Sequence, residues 1–259
     1  MWLGGGGVVV SRRRAQGAPS ASPAERSDPA APWRGAAGPL FDRNARRYDA
    51  VNRIITLGMD RRWRRWLAEQ AGVRPGMRAL DACAGTGLVG LELARRGVRV
   101  TLLDASREML AIAERRAAAA GLQLEVLAGD LESGPPPPAA SFDVVTMAFG
   151  LRYFASPVGA LGRLHAALAP GGRLLLVDAV CPPRDVIGRA GGVYFFQIAP
   201  RVASVLAGRA ELYESLTASV RALGDAAAVR SLVEAAGFRP QAERSWAGGL
   251  VYAVVTAPV

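Results

Sequence analysis

The chain reads as an α/β protein built on a doubly wound, mostly parallel seven-stranded sheet, on three observations. First, apolar runs near 77–82, 98–103, 123–128, 142–149 and 173–180 alternate with helical patterns near 87–96, 106–119 and 156–169, an order that joins parallel strands by crossover helices. Second, the stretch ALDACAGTGLVGLELARRGVRVTLLD, from Ala79 to Asp104, sets a carboxylate and a glycine turn between a strand and a helix, with another carboxylate closing the next strand. Third, the chain ends in a helix at 226–236, Gly237 and two strands at 238–244 and 250–257, which complete the sheet.

Residues 1–38 hold Gly, Ala, Pro, Ser and Arg without apolar periodicity and are expected to form a disordered tail. Its GGGGVVV stretch precedes the basic Arg12–Arg14 cluster, an order unlike a secretory signal. Between an organelle transit peptide and translated sequence upstream of the true start codon, the bacterial-looking composition favours the latter. The main domain is expected over 39–259. Within it Tyr48, Ile54, Ile55, Leu57, Trp63, Trp66 and Leu67 have helical spacing, so 39–75 reads as an N-terminal helical cap. Pro135–Pro138 can continue neither a helix nor a central strand and mark a surface excursion, and Pro170-Gly171-Gly172 is a turn before the apolar RLLLVDAV strand. Residues 183–223 break the alternation with Val193, Tyr194, Phe195, Phe196, Ile198, Val202, Val205 and Leu206 among Gly, Pro and Arg, and are expected to be helices covering the cofactor mouth.

All 32 basic residues are arginine and the net charge is +10. Scattered arginines beside Asp and Glu, in a chain rich in Ala, Gly and Pro, point to coding bias and a solvated surface rather than a nucleic-acid groove. Cys83 and Cys181 are far apart and His165 is the single histidine, which disfavours metal and Cys–His chemistry and fits a reducing, cytoplasmic setting.

The turn Asp81-Ala82-Cys83-Ala84-Gly85-Thr86-Gly87 lacks both the GxGxxG spacing of a dinucleotide site and the lysine of a P-loop. A strand ending in Asp before a short AGTG turn suits S-adenosylmethionine, which carries a sulfonium, a zwitterionic amino acid end and no phosphate. On this reading Asp81 meets the ammonium directly or through water, the backbone of Gly85, Thr86 and Gly87 the methionyl part, Asp104 the ribose, and Asp130 with Leu131 the adenine, with Ala148 a further cofactor-binding residue. The alternative is that these are turn and cap residues.

Tyr48-Asp49-Ala50-Val51-Asn52, then Gly58, Trp63, the AGTG turn, Phe149-Gly150-Leu151-Arg152 and Pro170–Gly172 resemble the ubiquinone/menaquinone biosynthesis C-methyltransferases, the UbiE/MenG family, from about Leu40 to the C-terminus. The stretch Leu212-Tyr213-Glu214-Ser215-Leu216, with Ser219-Val220 after it, is similar to a helix of that family. Departures are Val51 for methionine, Asp60 for histidine, Ala84 for glycine, Leu88 for aspartate, Tyr153 for asparagine and Asp178 for glutamate. The resemblance implies a Rossmann-like class I methyltransferase fold, S-adenosylmethionine as methyl donor, and methylation of a prenylated quinol ring, demethylmenaquinol foremost.

An aromatic carbon becomes nucleophilic once a neighbouring phenol loses its proton, which calls for alignment and exclusion of water. The resemblance makes Arg152 the group that stabilises the phenolate or orients a proton-removing water. It makes Tyr48, Asp49, Asn52 and Tyr153 the groups that hold the ring oxygens. Core packing for Tyr48 and a surface ion pair for Arg152 stand as alternatives. Trp63 and Trp66, flanked by arginines, are expected to touch the inner face of the cell membrane as a peripheral contact. The partners expected are the quinol, that surface and a second copy of the chain as a homodimer, with no nucleic acid. Competing readings are a phenol, polyketide or ubiquinone-precursor acceptor with the same cofactor, or an RNA-modifying protein.

Overall fold

A computed structural model describes residues 37–202 and 211–259. The expected tail, apart from its last two residues, lies outside the described residues, as do Val205 and Leu206.

The chain begins with helices α1 (Ala37–Asp42), α2 (Ala45–Ile55) and α3 (Asp60–Gln70). Strand and helix then alternate through β1 (Arg78–Ala82), α4 (Leu88–Ala94), β2 (Arg99–Asp104), α5 (Arg107–Ala119), β3 (Glu125–Ala128), β4 (Phe142–Ala148), α6 (Pro157–Ala167) and β5 (Leu168–Ala179). Helix α7 (Val186–Val193) runs into a wide turn at Tyr194–Ile198. After it come α8 (Glu211–Leu223), α9 (Ala226–Ala235), β6 (Phe238–Trp246) and β7 (Val251–Pro258).

The sheet order is β3-β2-β1-β4-β5-β7-β6, with β7 antiparallel to both of its neighbours and the other pairings parallel. The expected seven-stranded doubly wound sheet is therefore present. In β5, Leu174, Leu175, Leu176 and Val177 are all fully buried, because helices cover both faces and each side chain of a central strand finds apolar cover. Leu174 and Leu176 face the layer of α6 and α9, whereas Leu175 and Val177 face α3, α4 and α5.

Two local expectations are corrected. Helix α6 ends at Ala167 rather than 169, and β5 already starts at Leu168, opposite Phe142. The Pro170–Gly172 segment is thus a bulge inside the strand, with pairing resuming at Val144 and Arg173, because Pro170 has no N–H to donate and Gly171 turns at φ +78°. The membrane role of Trp63 and Trp66 also fails. Both are buried, Trp63 against Phe149 and Trp66 edge-on to Trp246, since α3 packs on the sheet and its tryptophans supply the bulk of that contact.

Gly87 precedes α4 at φ +74°, and a Cβ there would stand 2.6 Å from the Cβ of Ala113 on α5. Neither that backbone-anchored methyl nor the left-handed conformation accommodates a side chain. Gly87→Ala is expected to destabilise the fold by at least about 2 kcal/mol, read as a lowered urea midpoint; an unchanged midpoint would show that α4 and α5 can separate freely.

Candidate active site

Strand β1 leads outward to β2 and β3, while β4 leads the other way to β5, so the chain diverges between β1 and β4 and opens a crevice at their carboxyl ends. The turn after β1 lines it. Cys83 and Gly85 adopt φ +56° and +54°, which points the Gly85 N–H at Asp104, whose Oδ2 accepts it at 2.7 Å. The other oxygen, Oδ1, accepts from the Ser106 N–H at 2.8 Å, so Asp104 is aimed by backbone alone. Burial raises its carboxyl above the ordinary range, and the two N–H groups pull it back.

Two cavities occupy the crevice. The first is bounded by Gly85, Asp104, Asp130, Leu131 and Ala148, with Met109 and Glu132 beside them. Asp130 is set by an Asx turn, its Oδ1 accepting from the Glu132 N–H at 2.7 Å. Space above Gly85 is open, for an added Cβ there meets nothing within 4 Å. The Cys83 thiol also lines this cavity; burial and the surrounding carboxylates raise its pKa, so it stays protonated and weakly nucleophilic. Gly150 lies directly on it, where a Cβ would come within 2.6 Å of both Cβ and Sγ of Cys83.

The second cavity has an aromatic and aliphatic wall formed by Trp63, Tyr194, Phe195 and Leu216, with Asn52 and Arg152 among its polar groups. Arg152 is no surface residue. It is 5% exposed and its Nη1 is ion-paired with Oδ1 of Asp178 at the end of β5. Burial opposes the guanidinium charge, but Asp178 outweighs it and holds Arg152 protonated; burial raises the Asp178 carboxyl in turn, and Arg152 draws it back. Arg152 Nε and Asp178 Oδ2 are buried without a hydrogen-bond partner. Phe41, Tyr48, Phe149 and Tyr153 line both cavities and form the wall between them.

Of the residues singled out from sequence, Gly85, Asp104, Asp130, Leu131 and Ala148 gather around the first cavity, Arg152 and Asn52 around the second, and Tyr48 and Tyr153 at the junction. Four do not reach a cavity. Asp81 is 1% exposed, with Oδ1 accepting from Thr146 Oγ1 at 2.7 Å and Oδ2 from the Gly90 N–H at 2.9 Å. It therefore fastens the first turn of α4, and both of its oxygens have protein partners. Gly87 serves helix packing. The Thr86 hydroxyl donates to Asp49 at 3.0 Å, and Asp49 also pairs with Arg116 at 2.5 Å, so these residues clamp α2 to the turn and to α5 instead of holding ring oxygens. Asp42 makes a second clamp, accepting from Ser106 Oγ at 2.5 Å. Among the described residues of the covering segment 183–223, Tyr194, Phe195, Ala199 and Leu216 line the second cavity and none lines the first.

The sequence marked Asp178 only as standing for the family's glutamate and did not disclose its pairing with Arg152, nor the places of Phe41 and the Phe149 ring. A lone carboxylate inside RLLLVDAV was the available signal for a buried cationic partner; Phe41 carried none, because its position depends on how α1 docks.

Residues 35–257 match the ubiE/COQ5 methyltransferase family. The demethylmenaquinone methyltransferase of Thermus thermophilus is 40% identical over 201 residues, 77% of this chain and 91% of that protein. That of Beutenbergia cavernae is 37% identical over 212 residues, 82% of this chain and 86% of its own. Among solved structures, a SAM-dependent methyltransferase from Aquifex aeolicus superposes with a TM-score of 0.52 at 20% identity, over 76% of this chain and 89% of its own, which is a likeness of fold.

Burial pushes the Asp81 carboxyl up to about 7, so the folded chain binds a proton there that the unfolded chain releases. Stability of the ligand-free protein should therefore fall as pH rises from about 4 to about 7, by up to about 1.4 kcal/mol per unit. Asp81→Asn can still accept from the Gly90 N–H and donate its amide to the Thr146 hydroxyl, as the protonated carboxyl does, and should flatten that slope in urea unfolding; an equal slope in both proteins would acquit Asp81.

Proposed function

Because the chain belongs to the ubiE/COQ5 methyltransferase family, we propose that it moves a methyl group from S-adenosylmethionine to a ring carbon of a prenylated quinol, with demethylmenaquinol as the acceptor. The first cavity fits the donor: Asp104, held by two N–H groups, suits a ribose diol, Asp130 and Leu131 suit adenine, and the open space above Gly85 admits the amino acid end. The bound donor supplies an electrophilic methyl group on sulfur.

The observation that carries the acceptor reading is the Arg152–Asp178 pair on the second cavity. An ion pair taken out of water is costly unless further groups satisfy it, and here a buried donor, Arg152 Nε, has no protein partner. Arg152 lines the cavity, and a phenolate oxygen there offers its guanidinium a second acceptor beside Asp178. Arg152 keeps its charge at every working pH and so favours the ionised ring without removing the proton itself. Asp178 holds the guanidinium in place and balances its charge while the site is empty. Tyr48, Tyr153 and Asn52, which line the same cavity, bind the ring oxygens, and Tyr194, Phe195 and Leu216 keep water away from the developing carbon nucleophile.

No helix among the described residues is long and apolar enough to cross a membrane. With the tryptophans buried, a peripheral contact with the lipid phase that carries the acceptor rests on Leu57, Val186 and Ile187, which are more than two-thirds exposed. Leu57→Asp combined with Ile187→Asp should abolish flotation with anionic liposomes; flotation unchanged by the pair, or absent from the parent protein, would remove that contact.

Labelled S-adenosylmethionine with reduced demethylmenaquinone should place label on the quinol ring. Arg152→Lys, which keeps the charge but loses the fork, should lower turnover by about a hundredfold while donor affinity changes less than about twofold. Label on an unrelated phenol alone would overturn the acceptor, and an undiminished rate in the variant would overturn the role of Arg152.

A further inference from the structure

The two cavities meet at Phe41, Tyr48, Phe149 and Tyr153, which come from three separate parts of the chain: α1, α2 and the segment after β4. Phe41 stands edge-to-face with Tyr48 at 5.6 Å between ring centroids and with Tyr153 at 5.4 Å, so the planes of both tyrosines stand nearly perpendicular to that of Phe41. Phe149 is held at φ +63°, a left-handed conformation that turns the chain sharply out of β4 just where its ring lines both cavities. Aromatic rings in such an arrangement present faces of negative potential to whatever crosses the junction.

The charges around the junction are distributed unevenly. The first cavity has three carboxylates in its lining, those of Asp104, Asp130 and Glu132. In the second cavity the single charged lining residue among the described residues is Arg152, already balanced by Asp178. None of the four residues shared by the cavities bears a carboxylate. A cation lying between the cavities therefore has ring faces, rather than an anion, for compensation. Two of these rings already receive a cation, for the Arg152 guanidinium carbon is 4.8 Å from the Tyr153 centroid and 5.7 Å from that of Phe149.

We propose that Phe41, Tyr48, Phe149 and Tyr153 form an aromatic collar that binds the sulfonium of the methyl donor at the junction and thereby discriminates the charged donor from its neutral thioether product. This rests on the donor assignment made above. The group that moves is a methyl bound to a positively charged sulfur; it must face the acceptor cavity while the nucleoside remains in the other, and the collar is the place where both conditions hold. A carboxylate there would hold the cation more strongly, but it would also stand beside a developing phenolate and repel it. Neutral rings stabilise the one without opposing the other. Transfer of the methyl leaves S-adenosylhomocysteine, which has no charge on sulfur, so the collar loses its hold on the product and favours its exchange for fresh donor.

Calorimetric titration of the full chain with S-adenosylmethionine and, separately, with S-adenosylhomocysteine tests this. Phe41→Leu and Tyr153→Leu should each weaken donor binding by about three- to tenfold and change product binding less than about twofold, whereas Tyr153→Phe, which keeps the ring, should preserve the parent ratio. Circular dichroism screens the variants for folding, and either leucine variant is enough to read the ratio. Equal weakening of both ligands would make the rings structural and overturn the collar, as would a ratio that does not move. A parent protein that takes up neither ligand would instead overturn the donor assignment, and the collar with it.

Discussion

The divergence of the chain between β1 and β4 is the constraint on which everything else in this molecule depends. Neighbouring parallel strands that send their crossovers in opposite directions cannot close over their own carboxyl ends, so a crevice remains there. The turn from Cys83 to Gly87 fills its floor, and two carboxylates shape that turn from opposite sides. Asp81 draws in the Gly90 N–H from beneath, and Asp104 takes the Gly85 N–H from the rim. One carboxylate is consumed by architecture. The other remains on the cavity wall, available to a ligand.

Charge is handled differently at the two ends of the crevice. Around the donor cavity the carboxylates are satisfied largely by backbone N–H groups, which give direction without a compensating positive charge. Around the acceptor cavity Asp178 is answered by a full cation that is itself incompletely satisfied. Such a pair contributes little to stability, because desolvation offsets the attraction. It keeps a permanent hydrogen-bond donor on the wall of an otherwise largely apolar pocket, the place where the proposed phenolate would gain most from it.

Helices α1 and α2 close the crevice by contacts that leave the sheet untouched. Asp42 reaches Ser106 at the start of α5, and Asp49 joins Thr86 and Arg116. Both clamps lie beside the donor turn, and the same helices carry Phe41 and Tyr48 into the wall between the cavities. The covering residues Tyr194 and Phe195 join them, with the Tyr194 hydroxyl donating to the Ile55 carbonyl at 2.8 Å. The two cavities thereby share one set of packed rings.

The strand–helix alternation, the glycine turn, and the roles of Asp104 and Asp130 as wall residues were legible in the sequence, because strand-end positions follow from local period and turn chemistry. So was the family, from short motifs near the crevice. The fate of side chains whose partners come from distant elements was not legible. Asp81 and Asp104 look alike in sequence, each an aspartate closing an apolar strand, yet Thr146 of β4 and Gly90 bury one while the other stays on the wall. Trp63 and Trp66 have the flanking arginines of a surface helix, but α3 turns them onto the sheet. Sequence by itself determined which elements form and in what order, since period, glycine and proline act over a few residues. Tertiary structure alone decided which charges are spent on packing and which face a ligand, because burial and hydrogen-bond partners are set by residues tens of positions away.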